Sequence, residues 1–370
     1  MSNPYPRLPL ENLRVFPLSE RRSMASVEET MVDPSAPLPT APPAVLDGIS
    51  SCAVAIRQAR ARNASVILMY GAHLVKNGGG PVVARLAEGG WISHLATQGA
   101  GTIHDWEFAH LGRSTESVRD NVATGTFGTW DETSRFLHLA LLAGNVRDEG
   151  YGQALGRFIV EDGVNLPVPS GLESAIRAEP GHPLAAARAD LLKAMTSLRL
   201  PGGFLSVKHP WKRFSILARA FLGGVSVSVH PGIGYDIISN HPLFDGAAIG
   251  RAAGTDFRVF GHAVDGLDGG VLLSVGSAIM APQVFEKSLS CVNNLRLREK
   301  RPIVLDHRIF VVDLQDAGRW DWSRGEPPRD DPSYYLRFCK SFHRMGGSMA
   351  YTCCDNVVFL QHLLRALEGK

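Results

Sequence analysis

Residues 91–105 read Trp91-Ile92-Ser93-His94-Leu95-Ala96-Thr97-Gln98-Gly99-Ala100-Gly101-Thr102-Ile103-His104-Asp105. The run from Trp91 to Ala96 has strand character and passes directly into a small-residue turn with helical sequence behind it. Gly99 and Gly101 would let the backbone turn sharply and approach a pyrophosphate, whose charge the amides of a helix start favour. The construction recurs. Val225 to His230 runs into Pro231-Gly232-Ile233-Gly234-Tyr235-Asp236, and Val271 to Val275 runs into Gly276-Ser277-Ala278, with a helix expected from about Pro282. Ser65 to Tyr70 and Arg308 to Leu314 bring the strand candidates to five. Short apolar runs separated by helical segments predict an α/β fold, a mainly parallel sheet with helices on both faces. Ligands bind such sheets where strand carboxyl ends meet helix starts. Three glycine turns on one sheet edge therefore predict a dinucleotide crevice, with Gly99, Gly101, Gly232, Gly234, Asp236, Gly276 and Ser277 along it. A fourth cluster, Asn77-Gly78-Gly79-Gly80-Pro81, follows the first strand and suits either a plain strand-to-helix loop or ligand contact.

Around this core the chain divides simply. Residues 1 to about 45 hold nine of the 23 prolines and read as an irregular arm without active chemistry. Residues 46–370 read as one α/β domain carrying a helical insertion over about 105–222, where Glu132 to Ala143, Gly152 to Val160 and Pro183 to Leu200 repeat apolar residues at three and four. Thirty-eight Lys and Arg stand against 36 Asp and Glu, and no basic run is long enough to follow a phosphate backbone, which argues against a nucleic-acid partner. Five cysteines, an odd number without any CxxC pair, fit free thiols in a reducing compartment and offer no zinc spacing. No apolar stretch approaches the roughly 20 residues of a membrane span, and no basic-then-apolar leader opens the chain, so the cytoplasm is the expected compartment.

His73, His104 and His230 all fall at or near strand ends. Histidine titrates near neutral pH and suits proton transfer beside a hydride step. Asp105 and Asp236 are their natural carboxylate partners. The spacings of these groups match no metal-ligand motif, so no metal is expected.

The stretch Val66-Ile67-Leu68-Met69-Tyr70-Gly71-Ala72-His73-Leu74-Val75-Lys76-Asn77-Gly78 resembles a strand and its Ser-Asn-Leu-Ile-Ser-Ser-Gly loop in the deoxyhypusine synthases. Thr97 to Asp105 is similar to that family's Thr-Thr-Ala-Gly-Gly-Val-Glu-Glu-Asp, and the likeness resumes at Val227 to Asp236, Gly269 to Ser277 and Ile309 to Leu360. The resemblance implies a Rossmann-like sheet, a homotetramer, and NAD held between subunits. It also implies oxidation of spermidine with NAD, followed by transfer of the butylamine through an imine on a lysine. Pro332-Ser333-Tyr334-Tyr335-Leu336-Arg337-Phe338-Cys339-Lys340 resembles the family's Pro-Asp-Glu-Ala-Val-Ser-Trp-Gly-Lys, which makes Lys340 the imine former and puts Phe338 in place of tryptophan. Gly99, Gly101, Gly276 and Ser277 would lie along the cofactor, and Asp355 near it.

The departures from that pattern are chemical. Val275-Gly276-Ser277-Ala278-Ile279-Met280-Ala281 lacks the family's histidine, its paired glutamates become Ile103-His104, and its aspartate turn becomes His230-Pro231-Gly232. The acids after its proline become Ser333-Tyr334, so Asp321 and Asp331 would hold substrate ammonium groups only if the loop has shifted. The resulting expectation is an oligomeric, NAD-binding enzyme of the deoxyhypusine synthase type, with Lys340, His104, His230 and Asp105 as catalytic groups and His73, Asp321 and Asp331 facing a small amine or other polar substrate. Two other readings stand beside it: a homospermidine-type aminobutyltransferase, and a catalytically silent NAD-binding scaffold.

Overall fold

The computed structural model describes residues 5–316, 318 and 320–369, so the first four residues of the proline-rich arm lie outside the described residues. Six strands form one parallel sheet: β1 (Val66–Tyr70), β2 (His94–Thr97), β3 (Ser226–Val229), β4 (Val271–Val275), β5 (Arg308–Asp313) and β6 (Ser348–Cys353). Their order across the sheet is β3-β2-β1-β4-β5-β6. This is the doubly wound Rossmann order, in which the winding reverses between β1 and β4.

The central strands form where they do because they are apolar throughout. Val66-Ile67-Leu68-Met69-Tyr70 is buried at every position, as a strand covered on both faces requires. Alternate residues serve different layers. Val66, Leu68 and Tyr70 join a core that includes residues of helices Pro43–Ala61, Gly80–Glu88 and Asn356–Glu368. Ile67 and Met69 join a second core with Met280–Arg298, Arg337–His343 and the last turns of Gly246–Asp265. The five expected strands are present with ends shifted by at most a few residues. The sixth, β6, was not among them. It is an edge strand whose Ser348, Ala350 and Cys353 are exposed, so it lacks the apolar run by which the buried strands were recognised.

The segment between β2 and β3 departs from the expected helical insertion. Helices Asp131–Asn145, Tyr151–Val160 and Ala185–Ser197 lie close to their expected bounds. Beside them Gly163–Leu166 pairs antiparallel with Gly203–Ser206, and Arg113–Ser114 pairs with Ala25–Ser26 of the arm. The arm is pinned again by a bridge from Phe16 to Trp130 and by burial of Leu18 and Val27. No helix among the described residues is long and apolar enough to cross a membrane.

Candidate cofactor-binding site

At the reversal of winding, two loops leave the sheet side by side. Gly71 follows β1 and donates its N–H to Val275 at 3.1 Å, while Gly276 follows β4 and donates to Val312 at 2.9 Å. A Cβ on Gly71 would lie far inside contact distance of the Gly276 carbonyl, so only glycine allows the two loops this approach. Gly276 has φ +60°, and a Cβ there would strike the Asn356 amide. Beneath these loops the Ser277 hydroxyl and the Asn356 side-chain carbonyl are buried, and neither has a hydrogen-bond partner. Both atoms therefore keep hydrogen-bonding capacity that a ligand or a water could use.

His73 stands on the helix Ala72–Lys76 that opens from the Gly71 loop, and its side chain is exposed. Partial burial and the Lys76 charge lower its pKa, against a smaller opposing pull from Asp313 at the end of β5. His104 lies on the neighbouring helix Gly99–Leu111 and feels both Lys76 and His73; burial takes its pKa down to about 4. The structure thus brings His73, Lys76 and His104 within electrostatic reach of one another on two packed helices. His230 ends a separate polar seam: its Nε2 meets Ser228 Oγ at 3.1 Å, Ser228 meets His94 at 2.9 Å, and His94 meets Ser226 at 2.7 Å. Burial lowers the His230 pKa to about 4 as well. Removal from water thus disfavours the imidazolium of both His104 and His230, against the neutral titration expected of them.

The glycine turn after β2 is used differently from its expected role. Asp236 accepts hydrogen bonds from the N–H groups of Ala100 at 3.1 Å and Gly232 at 2.8 Å, which sets a carboxylate of the chain itself on the helix start. A side chain on Gly99 would run into that carboxylate, and one on Gly101 into the Thr97 hydroxyl. The expectation that Gly99 and Gly101 approach a pyrophosphate, with Asp236 along the cofactor, is corrected accordingly: the anion position at this helix end is taken by Asp236 itself. Gly232 supports that cap. Gly234, at φ +97°, provides only the left-handed turn. The Asn77–Pro81 cluster seats the arm, since Val32 donates to the Gly78 carbonyl at 3.1 Å and a Cβ on Gly78 would meet Thr30.

Several other expected site residues are held in structural duty. Asp105 is buried and accepts from the Ser215 hydroxyl, from Ile216 N–H at 2.7 Å and from Leu217 N–H at 3.3 Å. It caps the helix Ile216–Leu222 rather than pairing with a histidine, and burial raises its pKa to about 6. Asp321 and Asp331 cap the turns Trp322–Arg324 and Pro332–Tyr335 through the Ser323 and Ser333 amides. Asp355 caps helix Asn356–Glu368 through Val357 and Val358 N–H. The Lys340 ammonium lies 3.4 Å from the centre of the Tyr334 ring. Those four acids are ordinary turn and helix caps, a role that Asp plays wherever its side chain can reach the next free amides.

Sequence reasoning left Gly71 and Asn356 unassigned. Gly71 carried a usable signal, a lone glycine directly behind the most apolar strand. Asn356 carried none, because its approach to Gly276 joins positions 80 residues apart. Among the described residues no three His, Cys, Asp or Glu side chains gather as a metal site. Cavities lie elsewhere among the described residues. One, of about 250 Å³, opens beside Ser226 and Val227, and its Asp256 carboxylate is already satisfied by Gly152 and Val229 N–H. Another, of about 360 Å³, lies between helices Gly246–Asp265 and Met280–Arg298, where Arg296 is held by Asp265 and Asp268.

No protein-family model matches the sequence, and no curated protein matches it. Solved structures give distant likenesses. AgrE in its ternary complex with ornithine and NAD+ is 12% identical over 89% of this chain and 34% of that chain, with a TM-score of 0.43. ArgZ, an arginine dihydrolase from the ornithine-ammonia cycle in cyanobacteria, is 12% identical over 90% of this chain and 33% of that one, at 0.41. A conserved putative LOR/SDH protein from Methanococcus maripaludis S2 is 14% identical over 96% and 76%, at 0.42. The chain spans about a third of the length of AgrE and ArgZ. At these scores the fold assignment rests on the strand order of the chain itself.

Proposed function

We propose that this chain is an NAD-binding enzyme that carries out a redox-linked step on an amine or another small polar substrate. The observation that carries the reading is the junction of Gly71 and Gly276 at the winding reversal, with the Ser277 and Asn356 polar atoms unpartnered beside it. Dinucleotides bind Rossmann sheets at that reversal. Gly71 and Gly276 leave backbone without side chain where a pyrophosphate would approach; the Ser277 hydroxyl could donate to it, whereas the Asn356 carbonyl, an acceptor, could only take a hydrogen bond from a hydroxyl or amide of the cofactor. The bound cofactor would supply the acceptor for hydride.

The residues of the chain do the rest. His104, neutral at pH 7, can take the proton that leaves substrate as hydride departs. Asp313, at the end of β5, and Asp316 behind it add negative charge near Tyr351 on the same edge, which favours a cationic amine. A homotetrameric assembly belongs to the same reading, supported by the exposed apolar residues Ile233, Tyr235, Ile279 and Leu314 on the loops after β3, β4 and β5.

The finer deoxyhypusine-synthase and homospermidine-type readings add a transfer step through an imine on Lys340. Lys340 rests on Tyr334, a stabilised position for an ammonium, so the reading stops at dehydrogenation. The test is an equilibrium titration of the purified chain with NAD, then a search for NADH on incubation with spermidine and the basic amino acids. Saturable binding with NADH formation supports the enzyme. Binding without turnover across the panel favours the silent scaffold, and no binding sinks the cofactor reading.

A further inference from the structure

Glu107 lies one turn beyond His104 on the helix Gly99–Leu111 and is buried. Its carboxylate accepts from Arg21 Nη1 at 2.6 Å, Ser114 Oγ at 2.6 Å and Thr133 Oγ1 at 2.9 Å. The Arg21 guanidinium in direct contact favours the ionised carboxylate over the neutral acid, despite burial. An ionised carboxylate only accepts, and a serine hydroxyl has one hydrogen to give. Ser114 therefore gives that hydrogen to Glu107 and can only accept on its other side. On that side, at 2.8 Å, stands Nδ1 of His104. The N–H of the ring must be on Nδ1. A neutral imidazole carries one N–H, so Nε2 holds a free lone pair, and it has no hydrogen-bond partner among the described residues. The opposite arrangement would press two acceptors together at 2.6 Å inside the protein, leaving buried oxygens unsatisfied.

We propose that Arg21, Glu107 and Ser114 form a positioning relay that fixes His104 in its Nδ1–H tautomer and leaves its Nε2 free to act as a base. The carboxylate orients the imidazole as in hydrolase triads, with a hydroxyl interposed. In a dehydrogenation the substrate N–H or O–H bond would break with its proton going to Nε2, and the C–H bond on the adjacent carbon would break with its electron pair leaving as hydride, so that a C=N or C=O bond forms; a bound NAD+ would supply the hydride acceptor. The imidazolium so formed is balanced by Glu107 through Ser114, and it returns its proton to water after product leaves. Identifying that proton rests on the proposed function; the tautomer does not. The N-terminal arm holds both ends of the relay, since Arg21 belongs to it and Ser114 pairs with its Ala25. The segment expected to be free of chemistry thus reaches His104 through two side chains.

The experiment is a long-range proton–nitrogen NMR correlation on the full chain labelled with 15N at histidine, with His104 assigned by its loss in His104→Gln. At about pH 7 the wild-type ring is expected to show a protonated Nδ1 and an unprotonated Nε2. In Glu107→Gln the amide can donate to Ser114, whose hydroxyl then turns to the ring, and the N–H is expected to move to Nε2. Ser114→Ala is expected to shift the population the same way. A wild-type ring protonated at Nε2, or at both nitrogens, overturns the proposal even if the variants fail to fold. Unchanged Nδ1 protonation in both folded variants overturns it as well. NAD titrated into the same sample separates the two readings: a relay that stands while NAD fails to bind removes the cofactor assignment alone.

Discussion

The backbone of Gly71 runs against the carbonyl of Gly276, so that the loops after β1 and β4 touch without any side chain between them. Gly71 itself has φ −87°, an ordinary value, so the requirement for glycine here is one of space alone. Gly71→Ala is expected to force the loops apart at a cost of about 1–3 kcal/mol, the usual range for overpacking, and to weaken NAD binding. Denaturant unfolding and a cofactor titration check both effects, and wild-type values in each would remove Gly71 from the site.

Ser277→Ala carries opposite signs in the free and bound protein. The hydroxyl is buried without a partner, so its removal should leave the free protein as stable or slightly more stable. If a bound dinucleotide uses it, affinity should fall by a factor of about five to ten, corresponding to roughly 1 kcal/mol for one hydrogen bond. Calorimetric titration beside thermal unfolding separates the two.

Acid should destabilise the fold through its buried histidines. Burial lowers His94 and His209 to about 3, and His104, His138 and His230 to about 4. All five regain ordinary values near 6.5 on unfolding. Their folded values are depressed, so the stability they contribute is present above pH 6.5 and is lost as pH falls toward 4. Asp105 and Asp256, raised by burial to about 6 and about 7, act in reverse, losing stability as pH rises from about 4 to 7. Five groups against two leave a net uptake of about three protons on unfolding near pH 5. The unfolding midpoint should therefore drop steeply between about pH 6.5 and 4.5. A flat profile would show that the histidines are not held neutral.

Arg21→Met should cost about 3–5 kcal/mol, because it leaves the Glu107 carboxylate buried without its countercharge. The arm should then become a protease target ahead of the sheet. Urea unfolding and limited proteolysis read the two effects, and Arg21→Met combined with Glu107→Leu should recover part of the loss.

Lys340 should form no covalent intermediate. Incubation with NAD and spermidine, followed by borohydride reduction and mass analysis, is expected to leave Lys340 unmodified. An aminobutyl adduct on that residue would reinstate the transfer chemistry.

The sheet was legible because burial on both faces writes itself into composition. Val66–Tyr70 and Val271–Val275 are nearly unbroken apolar runs, and few other arrangements explain such short segments between helices. β6 escaped because an edge strand with exposed positions need not be apolar. Glycine turns were also legible as turns, but their use was not. After β4 the glycine meets the Gly71 loop and the Asn356 amide; after β2 a similar turn is filled by Asp236, 135 residues beyond Gly101, and no local pattern announces that carboxylate.

By itself, then, the order of residues determined which segments are strands and where the chain bends, since periodicity, apolarity and glycine act over a few neighbouring positions. Only the tertiary structure decided which bends meet and which acids are caps. It alone decided that Arg21 of the arm reaches Glu107 and, through Ser114, sets the proton on His104. A proton's position follows from who donates to whom across the folded interior, and those partners are chosen by packing between residues far apart in the chain.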